Sequence, residues 1–376
     1  MLFQPPSLTD AERSVIERID DVREALRYQL TTQRRWVGLL RRVMLARAVR
    51  GSNSIEGYNV SLDDAVAAIA GGAPTDSTSE AWAAVSGYRD AMTYVVQLAD
   101  DPHFRYDEAL IRGLHFMMLK HDLDGSPGRW RPGPVYVLDE RNQEIVYVGP
   151  EAMAVPDLMR QFTVDLQEDD GSVPVMVRGA MAHLNLVMIH PFRDGNGRMA
   201  RCMQTLVLAR EGIVAPPFWS IEEYLGVNTD AYYRVLAEVG QGSWQPDRDA
   251  RPWVRFVLTA HYIQAQTLVR RAQEAERRWE VVSREVERRG LPERSVAGVF
   301  NAAMGFRLRN ATYREAADVS EAVAGRDLRA IADAGLLAAV GERRGRSYVA
   351  TPRLRALEES IRQPRSPIGD PFTDVH

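Results

Sequence analysis

Within the twelve residues His190-Pro-Phe-Arg-Asp-Gly-Asn-Gly-Arg-Met-Ala-Arg201 the chain gathers a base, a hard oxygen ligand, a glycine turn and a pair of arginines. His190 can accept a proton near neutral pH. Asp194 suits Mg²⁺. Gly195, Asn196 and Gly197 let the backbone take positive φ angles and turn its N–H groups to one side, which at a helix N-terminus makes an anion cradle. Arg198 and Arg201, three apart, share one helix face and can clamp phosphate oxygens in bidentate fashion. The set fits a triphosphate with its metal and a base beside it. Taken singly the pieces are ordinary: a turn, a core histidine, a solvated arginine face. Their concentration in one short segment carries the reading.

The elements that must position this segment are helices. Val177, Ala180, Met181, Leu184, Val187 and Met188 recur at helical spacing before it, and Met199, Cys202, Met203, Leu206 and Val207 after it. Two buried helices therefore flank a tight polar loop. His190 sits where the first ends, and Asn196 or Gly197 is expected to cap the second.

The segment resembles the Fic motif, His-x-Phe-x-Asp/Glu-Gly-Asn-Gly-Arg-x-x-Arg, at every specified position. The resemblance implies a mainly α fold: a Fic (Fido) helical core with a β-hairpin flap, transferring AMP from ATP to a Ser, Thr or Tyr hydroxyl of a target protein. It would make His190 the general base, Phe192 the core anchor of the loop and Asp194 the Mg²⁺ ligand. Gly195, Asn196, Gly197 and Arg198 would cradle the α- and β-phosphates, and Arg201 would hold the γ-phosphate. Kinases of the same fold lack the second glycine and the final arginine. Both are present here, which favours nucleotidyl transfer.

Ser52-Asn-Ser-Ile-Glu-Gly57 reads by itself as a capped short helix, with Ser52 and Glu56 on one face and Gly57 as its stop. It also resembles the family's inhibitory motif, Ser/Thr-x-x-x-Glu-Gly/Asn, placed as in the N-terminally inhibited class. By that resemblance Ser52 and Glu56 are inhibitory, and Glu56 pairs with Arg201 in the place of the γ-phosphate. One guanidinium cannot serve a carboxylate and a phosphate in the same fork. The same glutamate could orient a water that removes AMP.

Two β-branched and aromatic runs, Val135, Tyr136, Val137 and then Ile145, Val146, Tyr147, are joined by a polar turn and read as a hairpin. The resemblance makes it the flap that docks the target as an added strand. Tyr232 and Tyr233 resemble the tyrosine pair near the adenine pocket; Tyr233 is expected to touch nucleotide, and Tyr232 is equally well a core ring.

The chain's 376 residues, 45% apolar and 26% charged, allow a sizeable core, and a net charge of −4 names no partner. Cys202 is the sole cysteine, so an internal disulfide is excluded. The first residues lack signal-peptide character and no run is long enough to span a membrane, so a cytoplasmic protein is expected.

The expected organisation is an N-terminal helical region over 1–100, with the inhibitory helix at about 50–57, and a catalytic core over 101–250. A connecting helix over 251–290, a winged helix-turn-helix over 291–361 and a disordered tail over 362–376 follow. From Leu8 to about Arg50 the pattern reads helical, with Ser7 or Thr9 as a cap. Between Leu291 and Arg355 eleven arginines face seven acidic residues, so this part carries +4 and the remainder −8. That balance permits DNA contact through phosphates, while winged helices also serve as protein docking or dimer modules. Two other functions are open: a DNA-binding transcriptional regulator with a secondary Fic core, or a Fic enzyme using another phosphate donor.

Overall fold

The computed structural model describes residues 1–31, 35–74, 76–138, 144–168, 171–211, 220–342 and 346–373. In the N-terminal half lie α1 (Asp10–Thr31), α2 (Arg35–Ile55), α3 (Leu62–Ile69), α4 (Ser79–Leu98), α5 (Glu108–Leu119), β1 (Tyr136–Leu138), β2 (Ile145–Val148) and α6 (Val155–Gln167). Then come α7 (Val175–Ile189), α8 (Asn196–Arg210), α9 (Glu222–Val227), α10 (Thr229–Gly240), β3 (Gly242–Ser243) and α11 (Arg251–Arg288). The chain closes with α12 (Ser295–Ala303), α13 (Asn310–Ala317), α14 (Glu321–Asp333), β4 (Leu337–Val340), β5 (Ser347–Ala350) and α15 (Pro352–Ile361). The fold is mainly α, as expected. No helix among the described residues is long and apolar enough to cross a membrane.

Local sequence sets several helix starts. Ser61, Thr78, Asp107 and Thr351 each accept a hydrogen bond from the backbone N–H three residues on, satisfying one donor that the first turn leaves free. Both α7 and α8 are buried nearly all round, which is why their apolar residues spread beyond a single stripe. One apolar cluster joins Leu186, Ile189, Phe192, Met199, Met203 and Leu206 to α4 and α5. Removing one such side chain, as in Leu186→Ala, costs about 2–5 kcal/mol through lost burial and the cavity left behind. A second cluster forms between the first half of α2, the second half of α11 and the C-terminal elements. A third joins the other face of α7 to α10 and the first half of α11.

The flap is more than the hairpin expected from sequence. β1 pairs antiparallel with β2, with a register irregularity after Val137, and β2 also pairs in parallel with β3. Tyr147 is the inward side chain, donating to the Met188 carbonyl at 2.8 Å, while Tyr136, Leu138, Ile145 and Val146 are exposed. The turn between the strands falls on residues 139–143, outside the described residues.

The stretch read as helical from Leu8 to about Arg50 holds α1 and α2, and α2 runs on to Ile55. Two other expectations need correction. The 50–57 segment is no independent short helix but the end of α2 and the residues after it; Gly51 stays within the helix, where a Cβ would lie 2.5 Å from the Glu222 carbonyl oxygen. The tail is ordered to Thr373 rather than disordered. Arg18 and Arg270 donate to the carbonyls of Pro371 and Ser366, Arg365 pairs with Glu274, and Arg255 lies over the Phe372 ring. A proline-containing segment without regular secondary structure is held here by side chains of α1 and α11. Its last three residues, and residues 343–345 of the expected wing tip Gly341–Arg346, lie outside the described residues.

Candidate active site

The segment from His190 to Arg201 links α7 to α8. His190 ends α7 in the left-handed region (φ 52°), and Gly195 (φ 73°) stands at the N-terminus of α8. Asn196 is the first helical residue, so neither it nor Gly197 is the cap; its side chain instead closes the loop. The Asn196 carboxamide accepts from the Phe192 N–H at 2.9 Å and donates to the Phe192 carbonyl at 3.0 Å. Gly197 is required for space rather than for a positive φ. A Cβ there would lie 2.5 Å from Oε1 of Glu56 and 3.1 Å from Nη1 of Arg201.

Phe192 is fully buried and stacks on His115 with ring centroids 3.6 Å apart. His115 accepts from the Gly128 N–H on Nδ1 at 2.8 Å, which leaves Nε2–H to donate to the Asp194 carbonyl at 2.9 Å. Burial pushes this imidazole down to about 4, so the donor is neutral throughout the physiological range. Sequence reasoning passed over His115 because it falls on the apolar stripe of α5. A histidine there must find hydrogen-bond partners, and that was its only signal.

His190 donates from Nδ1 to the Val187 carbonyl at 3.0 Å, which leaves Nε2 as the basic atom. Burial lowers its pKa from the ordinary value, only partly offset by that bond, so the ring is a neutral base at pH 7. Its carbonyl accepts from Nε of Arg131 at 2.8 Å. Arg131 is a second residue that spacing did not reveal.

Arg198 and Arg201 on α8 are both buried. Nη2 of Arg198 reaches Oδ2 of Asp194 at 3.2 Å and its guanidinium lies over the Tyr58 ring at 5.2 Å, but its Nε and Nη1 have no hydrogen-bond partner. Arg201 meets the end of α2: Nε donates to Oγ of Ser52 at 2.7 Å, and Nη2 to the Ser52 carbonyl at 3.0 Å and to Oε1 of Glu56 at 2.6 Å. Burial opposes the charge on Glu56, yet Arg201 and Arg198 outweigh it and hold this carboxyl below the usual range. Burial likewise opposes the charge on Arg201, and Glu56 more than compensates. The structure thus brings together His190, Asp194, the glycine turn, Arg198, Arg201, Ser52 and Glu56.

Tyr232 is a core ring, hydrogen-bonded to Nε2 of His183 at 2.9 Å. Tyr233 is 47% exposed, and its hydroxyl approaches the Ile55 carbonyl at 3.5 Å, next to Glu56.

No group of three or more His, Cys, Asp or Glu that could hold a metal occurs among the described residues. Asp194 is a single, half-exposed carboxylate. That still fits Mg²⁺, which keeps most of its ligands as water and phosphate and needs only one or two carboxylates. The unpartnered donors on Arg198 fit an anion beside it.

The sequence pattern of the Fic/DOC family matches residues 105–208, which include this entire loop. Over this segment the chain is similar to the Fic/DOC family. Protein adenylyltransferase fic-1 of Caenorhabditis briggsae is 37% identical over 118 residues, covering 30% of this chain and 21% of that protein. Protein adenylyltransferase Fic of Nematostella vectensis is 32% identical over 145 residues, covering 38% of this chain and 30% of that protein. The chain thus spans less than a third of the length of these curated relatives. Among solved structures, a Fic family protein from Desulfovibrio desulfuricans G20 superposes with a TM-score of 0.60 at 23% identity, covering 93% of this chain and 98% of that one. A Fic domain containing signaling protein from Bacteroides thetaiotaomicron VPI-5482 gives 0.55 at 19% identity, covering 70% and 97%. At these identities the likeness concerns the fold. The matched residues occupy the centre of the chain, and Ser52 and Glu56 approach their loop from outside them.

Proposed function

We propose that this chain is a protein adenylyltransferase that moves AMP from ATP to a Ser, Thr or Tyr hydroxyl of a target protein and is restrained by Glu56. The observation that carries the reading is the buried, partly unpartnered guanidinium of Arg198 at the N-terminus of α8, beside a neutral His190. Helix-end N–H groups and buried arginine donors suit a polyphosphate. In the reaction the hydroxyl gives its proton to Nε2 of His190, its oxygen bonds to the α-phosphorus, and the bond from that phosphorus to the bridging oxygen breaks to release pyrophosphate. The N–H groups at Gly195 to Gly197 and the arginines stabilise charge on the phosphates. Mg²⁺ held by Asp194 and phosphate oxygens would supply further positive charge there.

Tyr233 borders the adenine pocket in this reading. The outer edge of β1, which pairs with no other strand among the described residues, docks an extended target segment. With Glu56 on Arg201, ATP can enter only with its γ-phosphate displaced and its α-phosphorus out of line. The Glu56→Gly chain incubated with ATP, GTP, UTP or CTP, together with lysate, should gain the mass of AMP on itself or on a lysate protein. Mass gained only from another nucleotide would change the donor, and none from any would overturn the reading.

A second reading concerns the C-terminal elements. Asp327 turns inward to Arg294 and Tyr313, leaving Arg326 and Arg329 exposed on α14 without that opposing charge on the surface. This favours contact with nucleic-acid phosphates by a winged-helix unit. A salt-dependent gel shift with the full chain tests it.

A further inference from the structure

Arg131 lies between α5 and β1 and is 4% exposed. Its guanidinium reaches three main-chain carbonyls: Nε donates to His190 at 2.8 Å, Nη1 to Gly133 at 2.6 Å and Nη2 to Pro150 at 2.5 Å. Its own N–H donates to the Pro191 carbonyl at 2.9 Å. Gly133 precedes β1 and Pro150 follows β2, so one side chain grips both feet of the flap and the residue that carries the base.

Closing the hairpin does not require this fork. The Gly149 N–H already reaches the Val135 carbonyl at 3.3 Å. Gly149 also leaves room for the arginine to pass: a Cβ there would meet Nη2 of Arg131 at 3.3 Å and Cγ1 of Val135 at 2.7 Å. What the fork adds is the link to His190. That residue is held in the left-handed region, uncommon for any residue but glycine, and such a conformation persists only where its surroundings fix it. The His190 N–H is held by the Leu186 carbonyl at 3.0 Å, and Arg131 fixes the chain leaving the residue, through the carbonyls of His190 and of Pro191.

We propose that Arg131 is a positioning residue for AMP transfer, setting the placement of the flap relative to His190 so that a segment pairing with β1 presents its hydroxyl to Nε2. The inference rests on the reading of the site as an adenylyltransferase with the flap as its target dock. A lysine cannot reproduce the fork, since one ammonium cannot span three diverging carbonyls.

The test compares Arg131→Gln and Arg131→Lys in the Glu56→Gly chain, with the His190→Ala chain as acceptor protein. Both variants should raise KM for the acceptor and lower kcat, together by about 100-fold in kcat/KM, the cost of a small misplacement of reacting groups. The Kd for ATP should change by less than about 3-fold, because the phosphate cradle is built by other residues. Amide hydrogen exchange should quicken jointly over the described parts of 133–150 and over 187–192. Unchanged transfer would overturn the proposal. So would ATP affinity falling in step with transfer, which would make Arg131 a general support of the loop. Faster exchange in the flap alone would show that its feet are not tied to His190. If the Glu56→Gly parent transfers nothing to this acceptor or to any lysate protein, the reading of the reaction fails instead, and the exchange measurement still decides whether the link exists.

Discussion

Oε1 of Glu56 sits 2.5 Å from the point where a side chain on Gly197 would begin. The carboxylate thus fills the space that the missing side chain leaves open at the N-terminus of α8. Any methyl group placed there collides with Glu56, and equally with a phosphate oxygen occupying the same spot. Gly197→Ala should therefore loosen the Glu56–Arg201 pair without activating the enzyme. Calorimetry should give an ATP affinity at least about 10-fold weaker in both the native and the Glu56→Gly backgrounds, as expected when about 1.4 kcal/mol of anion contact is lost.

Glu56→Gly removes one charge-assisted hydrogen bond from Arg201, an interaction of about 1.5–3 kcal/mol. Transfer of AMP should rise by roughly 10- to 100-fold, measured with labelled ATP at saturating Mg²⁺. Ser52 still accepts two of the Arg201 donors, so the variant should remain folded. An unchanged rate would place the restraint elsewhere.

His190→Ala should abolish transfer and keep ATP binding, because the bonds that hold the loop use the main chain of residue 190 rather than its ring. Loss of both together would make the ring structural. In the active Glu56→Gly chain, kcat/KM should fall on acidification with an apparent pKa below 6.5. Burial depresses the imidazole, and removing the Glu56 charge takes away one influence that raises it. A limb above pH 7 would mean that another group is the base.

Glu222 offers a prediction about stability. It is 1% exposed, accepts from the Tyr88 hydroxyl at 2.7 Å, and burial raises its pKa to about 7. The folded protein holds this proton more tightly than the unfolded chain does. Stability from this group is therefore greatest below pH 4.5, declines as pH rises toward 7, and stays reduced above it, a swing on the order of 3 kcal/mol. Glu222→Gln should raise Tm by several degrees at pH 8 and by little at pH 5. Equal shifts at both values would rule out the ionisation as the cause.

The loop and its two helices were legible because every signal lay in one contiguous stretch with apolar periodicity on each side. The approach of Ser52 and Glu56 to Arg201 was not legible from spacing. The partners are 149 and 145 residues apart, and only the resemblance of both segments to one family connected them. Arg131 and His115 escaped because their partners are main-chain carbonyls and N–H groups, which every residue possesses and which leave no pattern. β3 has two residues, too few for an alternation to show. The 50–57 segment carries a stop at Gly57 but no start of its own, so it continues α2 instead of forming a new helix.

α2 passes through all three apolar clusters, giving Trp36, Leu40 and Met44 to the second, Ala46 and Val49 to the first, and Ile55 to the third. With 21 residues it is about 30 Å long and has no internal hinge. A rod clamped at three stations behaves as a tie-bar. Its tip, where the acidic residue emerges, cannot drift sideways without disturbing packing at the opposite end of the molecule. The grip on Arg201 is therefore set by the whole body, and it slackens only if one of the clamps does.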